Sequence, residues 1–197
     1  MKPLLVLAAF PVVLMGWASC SHSGTGHAAL PDPRAVDKSV PEYKNPFHPS
    51  TYAHFVARKD YRKTYDVYKD DTLLNRQPKK SRKIFVCLDE QRGQYLVDGL
   101  VAMDFPLSSG VKAYPTKTGD YAVISKKEDH TSNLYGKMYD AEGKCINYNA
   151  ESTDPIPEGG RFDGSPMPYW QRLTNAGLGL HVGKVRRHPV SHGCVRL

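Results

Sequence analysis

Residues 83–99 read Lys83-Ile-Phe-Val-Cys-Leu-Asp-Glu-Gln-Arg-Gly-Gln-Tyr-Leu-Val-Asp-Gly99. In the first half Ile84, Val86 and Leu88 alternate with Phe85, Cys87 and Asp89, the period of two that sends successive side chains to opposite faces of a strand. The second half ends in Tyr95-Leu-Val and meets Asp98-Gly99, a dipeptide that closes two-residue hairpins. Leu100 to Ser108 is therefore expected to return as the partner strand. Downstream, Tyr121 to Ser125 is a further strand candidate, ended by a polar loop from Lys126 to Asn133, and Asp140-Ala-Glu-Gly143 marks a turn between short extended runs. Thr153 to Pro168, rich in proline and glycine, reads as a long irregular segment of the kind that shapes a substrate cleft. One short helix is expected, at about Tyr169 to Asn175. Many short strands and little helix predict a mainly β domain, a sandwich or partly closed barrel.

Upstream of Arg82 the character changes. The chain has 197 residues, 40% of them hydrophobic, enough for one domain with tails. Met1-Lys2-Pro3, the apolar run Leu4 to Met15 and the small residues before Cys20 have the layout of an export signal covering residues 1–19, too short to span a bilayer as a helix. Ala18-Ser19-Cys20 places a cysteine where a lipoprotein signal places its lipidated one, although Trp17 stands where leucine is usual. The alternative is ordinary cleavage nearby, with Cys20 incidental. The Ser-, Gly- and His-rich stretch 21–28 favours a membrane tether, and two kinds of acylation on one cysteine anchor better than one. Residues 20–50, with five prolines after position 30, read as a linker. Residues 51–81 are charged and tyrosine-rich; Tyr61, Tyr65 and Tyr68 fall on one face of a helix, expected to dock on the domain rather than to stack on glycans. Removing residues 1–19 takes away only Lys2 and leaves 26 basic against 20 acidic residues. That excess suits an anionic envelope; no nucleic-acid recognition motif is present.

The last seventeen residues carry the chemistry. His181 precedes Ser191-His192-Gly193-Cys194 by a short interval, the arrangement of a thiolate nucleophile with an imidazole base. A buried structural cysteine would not account for the residues flanking Cys194. His181 is the candidate base, Cys194 the nucleophile, and the N–H groups of Gly193 and Cys194 the candidate oxyanion donors. Tyr169 is expected to offer a hydroxyl, Ser191 to hold the loop, and Arg196 either to place a charge near a carboxylate or to brace the fold. His130 and His188 read as exposed-loop residues. Of the remaining cysteines, Cys87 and Cys145 either pair or stay as unpaired core thiols, the second being slightly favoured. No Cys-x-x-Cys spacing occurs, so neither a metal nor a cofactor is expected.

The segment resembles the signature of the L,D-transpeptidase (YkuD-like) family: His181 matches its upstream histidine, Ser191 to Cys194 its tetrapeptide, and Arg196 its terminal polar position. Lys83 to Val97 with Gln91, Ser108-Ser-Gly110 followed by Pro115-Thr-Lys-Thr-Gly119, and Met167-Pro-Tyr169-Trp-Gln-Arg-Leu-Thr leading to His181 are similar to further family stretches. The resemblance covers residues 82–197, the expected catalytic domain, and leaves open a continuation past Leu197. It implies a β-sandwich with the cleft at a sheet edge, His192 as a structural or cleft-lining residue, and the Val182 carbonyl as the group that orients His181. It also implies a two-step acyl transfer from a peptidoglycan tetrapeptide stem to an amine, with release of D-alanine and inhibition by carbapenems. With water as acceptor the reaction is that of an L,D-carboxypeptidase; a non-catalytic peptidoglycan-binding lipoprotein of the cell envelope or periplasm is the reading from a different class.

Overall fold

The alternating run forms the expected hairpin, and the rest of the molecule is built outward from it. The computed structural model describes residues 12–16 (backbone alone), 37–39, 45, 47–77 and 81–197. In chain order the elements are β1 (Val12–Gly16), α1 (Tyr52–Ala57), a 3-10 turn (Tyr61–Lys63), β2 (Tyr68–Lys69), α2 (Asp71–Asn75), β3 (Arg82–Cys87), β4 (Arg92–Val97), β5 (Leu100–Pro106), β6 (Gly119–Ala122), β7 (Ser125–Lys127), β8 (Thr131–Tyr139), β9 (Cys145–Glu151), β10 (Arg161–Pro166), β11 (Trp170–Arg172), β12 (Gly179–His181) and β13 (Val195–Arg196). The protein is mainly β. Asp98 and Gly99 both take positive φ, 52° and 85°, as the primed turn of a two-residue hairpin demands.

Among the described residues three sheets result, in the orders β2-β5-β4-β3-β1-β6, β13-β12-β11-β7 and β10-β8-β9. The first two share a core: Ile84 and Val86 from β3 meet Leu180 and Val195 from β12 and β13, with Leu107, Val123 and Leu173 filling between them. Bridges Ser108↔Arg196 and Gly110↔Ser191 join the end of β5 to the last strand. The third sheet stands to one side, an antiparallel set with the Asp140–Gly143 turn between β8 and β9.

Several expectations are corrected. Tyr169 to Asn175 is not a helix: Trp170 and Leu173 are buried while Gln171 and Arg172 are half-buried, and the stretch pairs with β7 and β12 as a strand. The polar run Lys126–Asn133 is not a loop throughout, because its two ends belong to β7 and β8. Tyr61, Tyr65 and Tyr68 do not share a helix. Asp60 turns left-handed at φ 55°, the Tyr61 carbonyl closes only a single 3-10 turn with the Thr64 N–H, and the carbonyls of Tyr61, Thr64 and Asp66 accept from the Arg92 guanidinium. Cys87 is disulfide-bonded whereas Cys145 is a free thiol, so these two neither pair with each other nor both stay free. Residues 12–16 of the expected export signal form β1, parallel to β3 and antiparallel to β6. Cys20, and most of the 20–50 linker, lie outside the described residues.

Segment 51–69 does dock, through charge rather than through an apolar stripe. Arg92 (3% exposed) donates to Asp104 (2%) at 2.7 Å, and Tyr52 donates its hydroxyl to the other Asp104 oxygen at 2.8 Å. Phe55, Val56 and Tyr61 pack as a small satellite core above this pair. Arg92→Met leaves a buried carboxylate and three carbonyls without their cation, and breaking a buried pair in this one-sided way costs about 3–5 kcal/mol. The expected result is a chemical-denaturation midpoint well below that of the parent, with faster amide hydrogen exchange confined first to residues 52–69. Unchanged exchange there would show that Arg92 does not hold the segment.

Candidate active site

The four-stranded sheet has one apolar face and one polar face, and the candidate residues fall on the polar one. Leu180 pairs with Val195 and His181 with Arg196 across β12 and β13, while Arg172 pairs with Gly179 across β11 and β12. Leu180 and Val195 are fully buried in the core. Alternation then turns His181, Cys194, Arg196, Trp170 and Arg172 to the opposite side, where all five line a cleft of about 850 Å³. They form two rows across the strands. One runs Arg196, His181, Trp170; the other runs Cys194, Gly179, Arg172.

Gly179 matters because it is empty. A Cβ there would lie 2.3 Å from the Trp170 ring, so only glycine lets the indole cross the floor of the cleft. The Cys194 Sγ–H reaches the Gly177 carbonyl at 3.4 Å. Burial pushes the Cys194 thiol above its ordinary value, opposed by the Gly179 N–H and by the Arg196 charge. Burial likewise pushes His181 below the ordinary histidine value; the hydrogen bond to Val182 opposes this, and the Arg196 charge adds to it. The resting pair is therefore a neutral thiol and a neutral imidazole. His181 Nδ1 lies 3.0 Å from the Val182 carbonyl. A carbonyl only accepts, so Nδ1 carries the proton and Nε2 keeps its lone pair.

The loop carrying Cys194 is fixed by hydroxyl groups. Ser191, 3% exposed, donates its hydroxyl to the Cys194 carbonyl and accepts from the Gly193 N–H at 3.2 Å. That N–H, one of the two candidate oxyanion donors, is thus engaged within the loop. Gly193 itself sits at φ 113°, in a region closed to most side chains. Thr116 donates to the Gly193 carbonyl at 2.6 Å and accepts from the Gly110 N–H at 2.8 Å. Gln91 braces Ser109, whose carbonyl receives the N–H groups of Val190 and Ser191. The same connection touches the docked segment: the Arg187 guanidinium lies on the carbonyls of Arg62 and Lys63, and Tyr65 donates to the Arg186 carbonyl at 3.2 Å.

His192 lines the cleft and stacks on Tyr135 at 4.1 Å between centroids, 14° from parallel, with Tyr114 at 4.6 Å. Tyr169 is placed elsewhere. It is 64% exposed with a left-handed backbone and does not line the cleft, because alternation turns its neighbour Trp170 inward. His188 is exposed as expected, but His130 is not a free loop residue; its ring packs 5.1 Å from Trp170 at the cleft wall. Trp170, Arg172, Tyr135 and Thr116 escaped sequence reasoning. Trp170, Arg172 and Thr116 lie in the quoted stretches Met167–Thr174 and Pro115–Gly119, the one signal for them; for Tyr135, contributed from β8, none exists. Among the described residues no group of His, Cys, Asp or Glu could hold a metal ion.

A family model, L,D-transpeptidase catalytic domain, matches residues 81–197. The chain belongs to this family of catalytic domains. No match is found among curated proteins. Among solved structures it is similar to an L,D-transpeptidase from Stackebrandtia nassauensis (24% identity, 62% of this chain and 47% of that one, TM-score 0.41) and to the catalytic domain of the E. faecium L,D-transpeptidase (28%, 60% and 81%, 0.40). L,D-transpeptidase 3 from Mycobacterium tuberculosis, solved with a faropenem-derived adduct, also matches (22%, 57% and 49%, 0.38). The chain spans about half the length of the first of these.

The neutral resting pair has a measurable signature. Because the folded thiol lies above its ordinary value of 9.0, its thiolate fraction grows only at higher pH. Alkylation of Cys194 by iodoacetamide is expected to keep rising beyond the pH at which the urea-unfolded chain has levelled off, followed by peptide mass spectrometry. A plateau near neutral pH would mean a preformed thiolate–imidazolium pair.

Proposed function

We propose that the protein is a peptidoglycan L,D-transpeptidase in which Cys194 is the nucleophile and His181 the base. The observation that carries this is the shared face of β12 and β13, which turns a base with a free Nε2 and a thiol into one cleft while the intervening residues Leu180 and Val195 are locked in the core. The Cys194 thiol gives its proton to His181 Nε2 as sulfur bonds to the scissile carbonyl of a tetrapeptide stem. The tetrahedral oxygen takes the Cys194 N–H as its donor. The C–N bond then breaks, His181 returns the proton to the departing D-alanine amine, and the thioester remains. A neighbouring stem's amine attacks it, giving the cross-link and restoring the thiol. The carbapenem sensitivity implied by the family follows from the same thiol. His192, Ser191 and Gly193 shape the loop around it, and Arg196 steers charge at its edge.

Incubation with purified tetrapeptide stems, read by mass spectrometry, tests the reading. Cross-linked dimer and free D-alanine are expected. Cys194→Ala is expected to abolish both, and His181→Ala to slow them about a hundredfold or more. Because the base must be neutral and its folded pKa is lowered below 6.5, the rate should hold as pH falls from 7 to 6.5 and decline only below. Free D-alanine without dimer would assign the water-accepting carboxypeptidase, and no product at all a binding protein.

We further propose that the chain is exported, cleaved after Ser19 and anchored in the envelope through acylated Cys20. Its basic excess suits that anionic surface. Cleavage there removes β1 and vacates the seat between β3 and β6. The anchored protein is expected to carry a diacylglyceryl mass on its N-terminal peptide, read by mass spectrometry. An unacylated N-terminus would reject the anchor.

A further inference from the structure

We propose that Arg172 reads the terminal carboxylate of the acyl donor, so that the cleft measures donor length as well as accepting a stem. This rests on the acyl-transfer reading of Cys194 and goes one step past it.

Arg172 stands on the row that begins with Cys194 and passes through Gly179. Adjacent strands are separated by about 4.8 Å, so its Cα lies roughly 10 Å from that of Cys194, and the Trp170 ring lies over the intervening Gly179 as the floor between them. Arg172 lines the same cleft as the thiol. Among the described residues no carboxylate forms an ion pair with it, and its charge is felt by His130 across the cleft. The indole N–H of Trp170, on the same strand and face, is buried without a hydrogen-bond partner. A charged fork and an orphaned donor thus stand together on a floor that carries no acid. The other cleft cations are placed differently: Arg196 lies beside the thiol with its stem against Gly183, and Lys117 and Lys184 are exposed at the rim.

The donor's chemistry fits this spacing. In a tetrapeptide the residue that leaves is the last one, and its carboxylate carbon is three bonds from the carbonyl under attack, roughly 4 Å away. With the carbonyl held at Cys194, a carboxylate lying over the Trp170 ring comes within reach of the long Arg172 side chain, which lines the same cleft and whose planar fork accepts it in bidentate fashion. A pentapeptide places a neutral amide at that point and its carboxylate about 3.5 Å further on. Arg172 would then face an uncharged group, and the longer donor loses the contact.

The test uses the full chain with Cys194→Ala, so that binding is read without turnover, and titrates it calorimetrically with the tetrapeptide and with the same peptide capped as a C-terminal carboxamide. The acid is expected to bind on the order of tenfold or more tighter than the amide, the scale of a charge-assisted pair. Adding Arg172→Gln should remove that difference by weakening the acid alone, and Arg172→Lys, which keeps the charge but not the fork, should fall between. Melting curves of each variant report folding. Equal affinity for acid and amide, loss of both ligands together in Arg172→Gln, or no binding of the acid would overturn the proposal. The acyl-transfer reading is judged separately, by whether Cys194 of the parent chain becomes acylated. Acylation that ignores the peptide's terminal charge leaves that reading standing and rejects this one, whereas charge-selective binding without acylation does the reverse.

Discussion

The pairing of Leu180 with Val195 is the contact on which the candidate site depends. Both side chains are fully buried between the two larger sheets, and in a strand a buried residue dictates where its neighbours point. Slipping β12 by one position would send His181 into the core and leave Leu180 facing the cleft, and the same slip of β13 would exchange Cys194 and Val195. The hydrophobic cost of such a slip, about 1.5–3 kcal/mol for each aliphatic chain exposed, holds the register. The precision of the polar face is thus inherited from the apolar one, and the loop hydroxyls of Ser191 and Thr116 only finish the arrangement.

A second layer of support comes from outside the segment that the family shares. Residues 51–69 bury a small aromatic cluster, lend their carbonyls to Arg92, and meet Arg186 and Arg187 on the connection between β12 and β13. An irregular stretch with little helix of its own gains its structure from two arginines that need acceptors. Its attachment is polar at the centre and aromatic at the edge, the reverse of ordinary core packing.

Much of the fold was legible because strand periodicity and turn chemistry are local. Ile84 to Leu88 and Asp98-Gly99 predicted β3, β4 and β5 from side chains within a few residues of one another. The Trp170 segment was misread because three residues are too few for a period to outweigh the pull toward helix, and its strand character comes from β7 and β12 on either side. Tyr61, Tyr65 and Tyr68 gave a helical spacing by coincidence, since the deciding partner, Arg92, lies far along the chain. Within the site, His181 and Cys194 stood out by their short interval, and the structure brings them to one face. Tyr169 and His130 exchanged places relative to expectation: one residue of alternation decides which ring enters the cleft, and no count of spacing fixes that phase without the neighbouring strand.

The group that orients His181 is a backbone carbonyl rather than a carboxylate, and this bears on how the protein endures oxidants. A carbonyl fixes the tautomer but supplies no full negative charge to stabilise an imidazolium, so the proton rests on sulfur, where burial of the Cys194 thiol also favours it. Peroxides attack thiolates far faster than thiols, and the route to sulfenic and then irreversible sulfinic acid begins there. A Cys194 sulfur that rests protonated, buried and hydrogen-bonded to Gly177 is slow to enter that route. On the proposed acyl-transfer reading, the neutral state protects the thiol between turnovers, and the substrate itself removes the protection at the moment of attack.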